Sequence, residues 1–235
     1  MQKKKSLVIG IVLLVIFVGV LVLLLTPVFQ GKTGLVTADT FFNSLAKGST
    51  YYIPDVQEKI GEYEGRSFDV RIEMDSAEVA EKTGKLYTGA GANVEREGNV
   101  LTISGDLGKV LEGALGDSDV MFRGEGDKVY GKYGYDEKEA MYYWHVSFEE
   151  IVKEYRKERE FDLAMFIEEE VIKRGIEPAY NFYGIEGTLV SENAGALAGS
   201  LTFYVVYTLI WGFAILFLFL AYGLSMEEAE DKKEY

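Results

Sequence analysis

The chain has 235 residues, with 24 basic against 38 acidic side chains, one His and no Cys, for a formal net charge of −14. The missing Cys excludes disulfide frameworks, thiolate metal sites and Cys nucleophiles, and a single His excludes a His-rich metal centre. A chain this acidic, without a basic stripe, is not expected to bind nucleic acid, because that affinity comes from Lys and Arg neutralising phosphates.

The uncharged residues are gathered at the two ends. No charged side chain occurs between Ser6 and Gly31 or between Asn193 and Met226, and each stretch exceeds the ~20 apolar residues that cross a ~30 Å hydrocarbon core. Transmembrane helices are therefore expected over 7–29 and 201–224. The first has a longer core than a signal peptide and ends in Leu25-Thr-Pro-Val-Phe-Gln, so it reads as an uncleaved anchor. Lys3, Lys4 and Lys5 place residues 1–6 in the cytoplasm. The second span then returns, and the acidic tail, 225–235, is cytoplasmic as well. The expectation is a two-span cell-membrane protein with both termini cytoplasmic and its main domain extracytoplasmic.

Within that domain, Thr37 to Gly48 reads as a short helix stopped by glycine. Ser67-Phe-Asp-Val-Arg-Ile-Glu-Met74 alternates apolar and polar residues, the period of a half-buried strand. Gly91 to Arg96 and Asn99 to Ser104 read as a hairpin turning at Gly98. Gly105-Asp106 starts a helix with Leu107, Val110, Leu111, Ala114 and Leu115 on one face, ending at Gly116. Asp119 to Arg123, Lys128 to Tyr135 and Ala140 to Phe148 read as three further strands, with a polar turn at Asp136 to Glu139. Strands interrupted by one helix are the layout of an OB-type barrel. The expected fold class is thus membrane-anchored all-β/α+β, an OB-like small β-barrel over 33–147. An amphipathic helical segment follows over 148–175, broken near Glu158 to Phe161, and then a linker over 176–200.

Chemistry is sparse. Gly89-Ala-Gly91 and Gly124-Glu-Gly126 do not open a helix after a buried strand and read as turns. No Gly-x-Ser-x-Gly occurs, and no Ser/His/Asp spacing suggests a hydrolase, so an enzyme is not expected. Glu168-Glu-Glu170 lies on a helix without the alternating oxygen ligands of a calcium loop and reads as a solvated face. His145 stands in the most aromatic stretch, Met141-Tyr-Tyr-Trp-His, where an imidazole could approach a haem iron; a locally hydrogen-bonded strand His is the other reading.

Leu35-Val-Thr-Ala-Asp-Thr-Phe-Phe, the strand at Val100 to Ser104 running into Gly105-Asp-Leu-Gly-Lys-Val-Leu, and the segment ending Phe122-Arg-Gly-Glu-Gly126 resemble the CcmE family. These are membrane-anchored OB-fold haem chaperones of cytochrome c maturation. The second span, with Tyr204-Val-Val-Tyr207-Thr-Leu-Ile-Trp211, an apolar stretch and a charged tail, is similar to CcmD, a small single-span partner in that pathway. The resemblance implies a haem-handling protein whose partners are the membrane and other cytochrome c maturation proteins, contacted through Tyr207 and Trp211. In that family a His or Cys four residues before a Tyr carries haem covalently. Here Ile151-Val-Lys-Glu-Tyr155 keeps the Tyr and has Ile at the attachment position, so the implied haem is non-covalent. Tyr142, Tyr143, Trp144 and Tyr155 would hold the ring, with His145 or Tyr155 as the iron ligand and no other metal. The alternative is a non-catalytic accessory or scaffold subunit of a membrane complex.

Overall fold

The computed structural model describes residues 2–224, so the expected acidic tail lies outside the described residues. The chain divides into two compact units, a helical hairpin built from both ends of the chain and a domain over 43–188.

The hairpin pairs α1 (Gln2–Leu25) with α10 (Ala194–Tyr222), two helices long and apolar enough to cross a membrane. They run antiparallel. Gly10 of α1 lies against Leu218, and the Phe17 ring stacks on Tyr207 at 4.5 Å and approaches Trp211 at 4.7 Å. At the open end, Lys3, Lys4, Leu7, Ala221 and Tyr222 surround a cavity of about 260 Å³. Residues 194–200, read from their small side chains as linker, are the first turns of α10, because nothing in Ala-Gly-Ala-Leu-Ala-Gly-Ser stops a helix that continues into a long apolar run.

The domain begins in the last turns of α2 (Gly34–Ser49), followed by α3 (Ile53–Ile60) and a short 3₁₀ turn at Gly61–Tyr63. Next come β1 (Ser67–Glu73), α4 (Ala77–Gly89), β2 (Asn93–Glu97) and β3 (Val100–Asp106). The three strands form an antiparallel sheet in the order β1-β3-β2, with Val70 opposite Ile103 and Ile72 opposite Leu101. Phe68, Val70, Ile72, Leu101 and Ile103 bury one face, against which α4 and a later helix pack; Asp69, Arg71, Glu73, Glu95 and Glu97 leave the other face polar and exposed.

The remainder is helical: α5 (Leu107–Phe122), α6 (Asp127–Tyr133), α7 (Glu137–Lys157), α8 (Phe161–Phe166), a π-helical stretch at Ile167–Ile176, and α9 (Glu177–Asn181). The expected OB-like barrel is therefore wrong. The sheet has three strands and does not close, and the three segments assigned as its last strands, 119–123, 128–135 and 140–148, lie mostly in α5, α6 and α7. Spacing explains each correction. Leu111, Ala114, Leu115, Ser118, Met121 and Phe122 are all buried, a helical period that carries α5 through Gly116, where an interior glycine costs only about 1 kcal/mol. In α7 the buried set is Ala140, Met141, Tyr143, Trp144, Ser147, Phe148, Ile151, Val152 and Tyr155. That stripe at intervals of three and four outweighs the strand preference of its aromatic residues. The polar turn at Asp136 is its cap, the carboxylate accepting the Lys138 and Glu139 amides at 2.9 and 3.0 Å. The chain breaks after Lys157, where Arg159 takes φ 67°. Asp106 caps α5 by accepting the Lys109 amide, and also accepts the Gly65 amide.

The ends of the domain are tied together. The Thr188 amide donates to the Ser44 carbonyl at 3.0 Å. Lys47, only 8 % exposed, donates to the carbonyls of Ile185 at 2.5 Å and Phe182 at 3.1 Å and lies 5.1 Å from the Phe122 ring centre. Burial holds its amine below the usual lysine range. At Gly48 a Cβ would stand 2.1 Å from the Thr188 carbonyl oxygen, so only glycine permits this approach. Lys47→Met keeps most of the apolar stem and removes two charge-assisted bonds. It is expected to lower unfolding free energy by about 2–3 kcal/mol, measured by urea unfolding in detergent.

Candidate functional site

The residues expected to hold a haem all lie on α7, four of them consecutive. Successive side chains on a helix project ~100° apart, and the structure shows the result. Trp144 is fully buried, Tyr143 is 7 % exposed, Tyr142 is 47 % exposed, and His145 is half-buried on another side. Tyr155 is buried ten residues further on, roughly 15 Å along the axis at 1.5 Å per residue. These side chains do not converge on one ring, and His145 and Tyr155 do not face one iron. The His145 Nε2 lies 3.3 Å from Glu177 and its Nδ1 3.8 Å from Glu149, an exposed link between α7 and α9. Tyr207 and Trp211, expected to contact partners, pack on Phe17 within the hairpin, Trp211 remaining 43 % exposed, and the Tyr207 hydroxyl donates to the Phe17 carbonyl at 3.3 Å. The acidic run is committed too: Glu168 pairs with Arg156, Glu169 with Lys173 at 2.5 Å, and Glu170 with Arg174 at 2.6 Å and Lys59 at 2.8 Å.

What the fold does assemble is a network around Asp117, 5 % exposed on α5. One carboxylate oxygen accepts the Tyr133 hydroxyl at 2.6 Å and the Trp144 indole N–H at 3.0 Å; the other accepts Lys132 at 2.8 Å. Trp144 stacks on Phe148 and meets Tyr87 edge-on. The Tyr87 hydroxyl donates to Ser147, which donates to the Trp144 carbonyl. Burial drives the phenols of Tyr87, Tyr133 and Tyr135 far above the usual tyrosine range, the Asp117 charge adding to the effect at Tyr133. Burial pushes Tyr155 up to about 12, with Arg66 opposing. Beside the network, Lys82 is held by Glu139 at 2.8 Å and Glu78 at 3.1 Å, which keep its amine above the usual lysine range.

The network fixes one wall of an open cleft of about 440 Å³ between α4, the sheet and α6. The buried Gly84 and Leu101 and the half-buried Val94 lie at its floor, and Lys85, Arg96 and Lys132, with one acid, Glu81, stand around it. Sequence reasoning missed all of these residues, because the three cations come from three elements with no spacing in common. A second cavity, about 610 Å³, lies near Glu58, Glu64, Asp106 and Lys109; among the described residues no group of acidic or His side chains is arranged to hold a metal.

Replacing Asp117 by Leu would strand the buried Tyr133 and Trp144 donors and is expected to cost about 3–5 kcal/mol, against a smaller loss for Asp117→Asn, which keeps an acceptor; urea unfolding followed by Trp fluorescence reads both. The tyrosines give a pH prediction. Their folded values lie above the unfolded value near 10, so the stability they contribute is complete below about pH 10 and is lost as pH rises through about 12. Unfolding midpoints measured from pH 8 upward should hold level and then fall in that window.

Comparison with known proteins supplies no relative: no family model, no curated protein and no solved structure matches the chain. Nothing among them identifies a CcmE-type chaperone.

Proposed function

We propose that this chain is a non-catalytic, two-span membrane protein that presents an acidic α+β domain outside the cytoplasm as a binding or accessory subunit. One observation carries the reading: the domain leaves and rejoins the rest of the chain at a single clamp, Ser44 and Lys47 against Phe182 to Thr188, the construction of a domain inserted into a membrane hairpin. Its orientation follows from Lys3, Lys4 and Lys5. By the positive-inside rule these hold the N-terminal end of α1 in the cytoplasm, and Tyr222 of α10 borders the same cavity as Lys3 and Lys4. The binding role is supported by how the reactive residue types are used. Asp117 is occupied by three donors, the glutamates of the π-helical stretch by Arg and Lys, and His145 by two glutamates. Haem handling in cytochrome c maturation has less support, because its ring-holding residues point to different sides of α7.

The absence of native Cys makes the orientation directly testable. In intact cells a membrane-impermeant maleimide is expected to label Glu97→Cys, and to label Leu224→Cys only after permeabilisation; the reverse pattern overturns the orientation. Titration with haem is expected to give no saturable Soret shift. A saturable shift lost in His145→Ala would replace this reading with the haem-handling one.

A further inference from the structure

We propose that the cleft between α4, the sheet and α6 binds an amphipathic anion. The ligand is an organic carboxylate or phosphate whose apolar body lies against the half-buried Val94 and whose charged head sits among Lys85, Arg96 and Lys132. This adds a ligand class to the binding role above and rests on that role, but not on the orientation of the domain.

The cleft is the right size. At about 440 Å³ it falls within the roughly 300–1,000 Å³ of small-molecule sites. At its floor α4 comes close to the sheet: Gly84 and Leu101 are buried, a Cβ at Gly84 would lie 3.4 Å from Val94 and 3.7 Å from Leu101, and the half-buried Val94 is the apolar sheet side chain that the cleft reaches.

The charge around that floor is the inverse of the rest of the domain, where residues 43–188 carry thirty-one acidic against eighteen basic side chains. Strand alternation produces part of this inversion. Arg96 shares the face of Val94, while Glu95 and Glu97 project from the opposite one. Structural ion pairing does not account for Arg96 and only weakly occupies Lys85. Arg96 has no carboxylate partner among the described residues, and its guanidinium donates to the Gly98 carbonyl at 3.2 Å. Lys85 reaches Glu81 at 3.4 Å with both side chains more than half exposed, a pairing worth little in water. Lys132 is fixed by Asp117, which sets its amine at the cleft wall before any ligand arrives. A planar guanidinium without a carboxylate, flanked by two amines over apolar surface, suits the fork geometry of a carboxylate or phosphate. A neutral apolar ligand would leave the Arg96 guanidinium without a carboxylate or phosphate partner.

The test uses the full chain in lipid nanodiscs, with empty nanodiscs as the reference for partitioning into lipid, and isothermal titration with three probes: 2-naphthoate, the neutral 2-naphthylmethanol, and inorganic phosphate. One 2-naphthoate per chain is expected, with binding at least about tenfold tighter than for either other probe, since a charge-assisted bond contributes at least that factor. Arg96→Met, at an exposed site where folding is not at stake, should weaken 2-naphthoate about tenfold. Gly84→Leu, which fills the floor without changing charge, should abolish binding, and Lys153→Met on the exposed side of α7 should change nothing. Circular dichroism confirms that each variant keeps its helices. Equal affinity for the neutral probe, equal affinity for phosphate, no effect of Arg96→Met, or no binding beyond empty nanodiscs would each overturn the proposal. The maleimide labelling pattern is unaffected by these outcomes, so a failed cleft and a failed orientation are separately visible.

Discussion

Two long apolar helices packed side by side stand ~8–10 Å apart, so a domain whose sequence lies between them has to return its chain close to where it departed. The rest of this structure depends on that constraint. It is met at the domain's own ends, where the Thr188 amide bonds to Ser44, Lys47 spans two carbonyls, and Gly48 gives the returning backbone room. Lys47 is an unusual choice for a site 8 % exposed, since burying an amine lowers its tendency to stay charged. Two carbonyls and the face of Phe122 supply what water would otherwise provide. A neutral residue could fill the space but could not join two backbone segments at once.

The same economy governs the interior. α7 runs 21 residues with its apolar stripe against the sheet and the other helices. It brings a polar atom, the Trp144 indole N–H, into the core, where it requires an acceptor. Asp117 meets that need, and a buried carboxylate in turn requires compensation, which Tyr133 and Lys132 provide. Three donors on two oxygens leave little capacity for proton transfer or metal binding. The most prominent buried acid is thus best understood as a positioning device, fixing α6 against α5 and α7 and thereby one wall of the cleft.

How much of this was legible in the sequence varies by element. The two spans follow from the lack of charge over stretches longer than a bilayer needs, and β1, the hairpin of β2 and β3, and the Asp106 cap follow from alternation and turn chemistry, all local signals. The helical segments within 119–148 that read as strands were misread for a physical reason. Met-Tyr-Tyr-Trp-His-Val carries side chains favoured in strands, and its helical period emerges only when the stripe is followed from Ala140 to Tyr155. Residues 75–90 were passed over although Ser76 caps α4 by accepting the Val79 amide. The expected haem residues are spread around α7 for a related reason, since consecutive side chains on a helix project to different sides. The cleft was illegible in principle. Lys85, Arg96 and Lys132 become neighbours only through the packing of α4 and α6 around the sheet, and no pattern along the chain marks them.

A cationic cleft in a strongly acidic domain has an electrostatic logic of its own. At low ionic strength the surrounding carboxylates repel an approaching anion over tens of ångströms, whereas in ~0.15 M salt that field decays within ~8 Å. The three cations act at contact distance, over a low-dielectric floor, where screening is weakest. Salt therefore opposes the repulsion more than the attraction, and the domain favours ligands that bring apolar area to the floor over those that bring charge alone. Small inorganic anions gain only the attraction to the cations. An amphipathic anion gains that attraction together with the burial of its body against Val94, at roughly 25 cal/mol for each Å² removed from water. Selectivity of this kind needs no further residue. It arises from placing Arg96, which has no carboxylate partner among the described residues, and two lysines around the half-buried Val94.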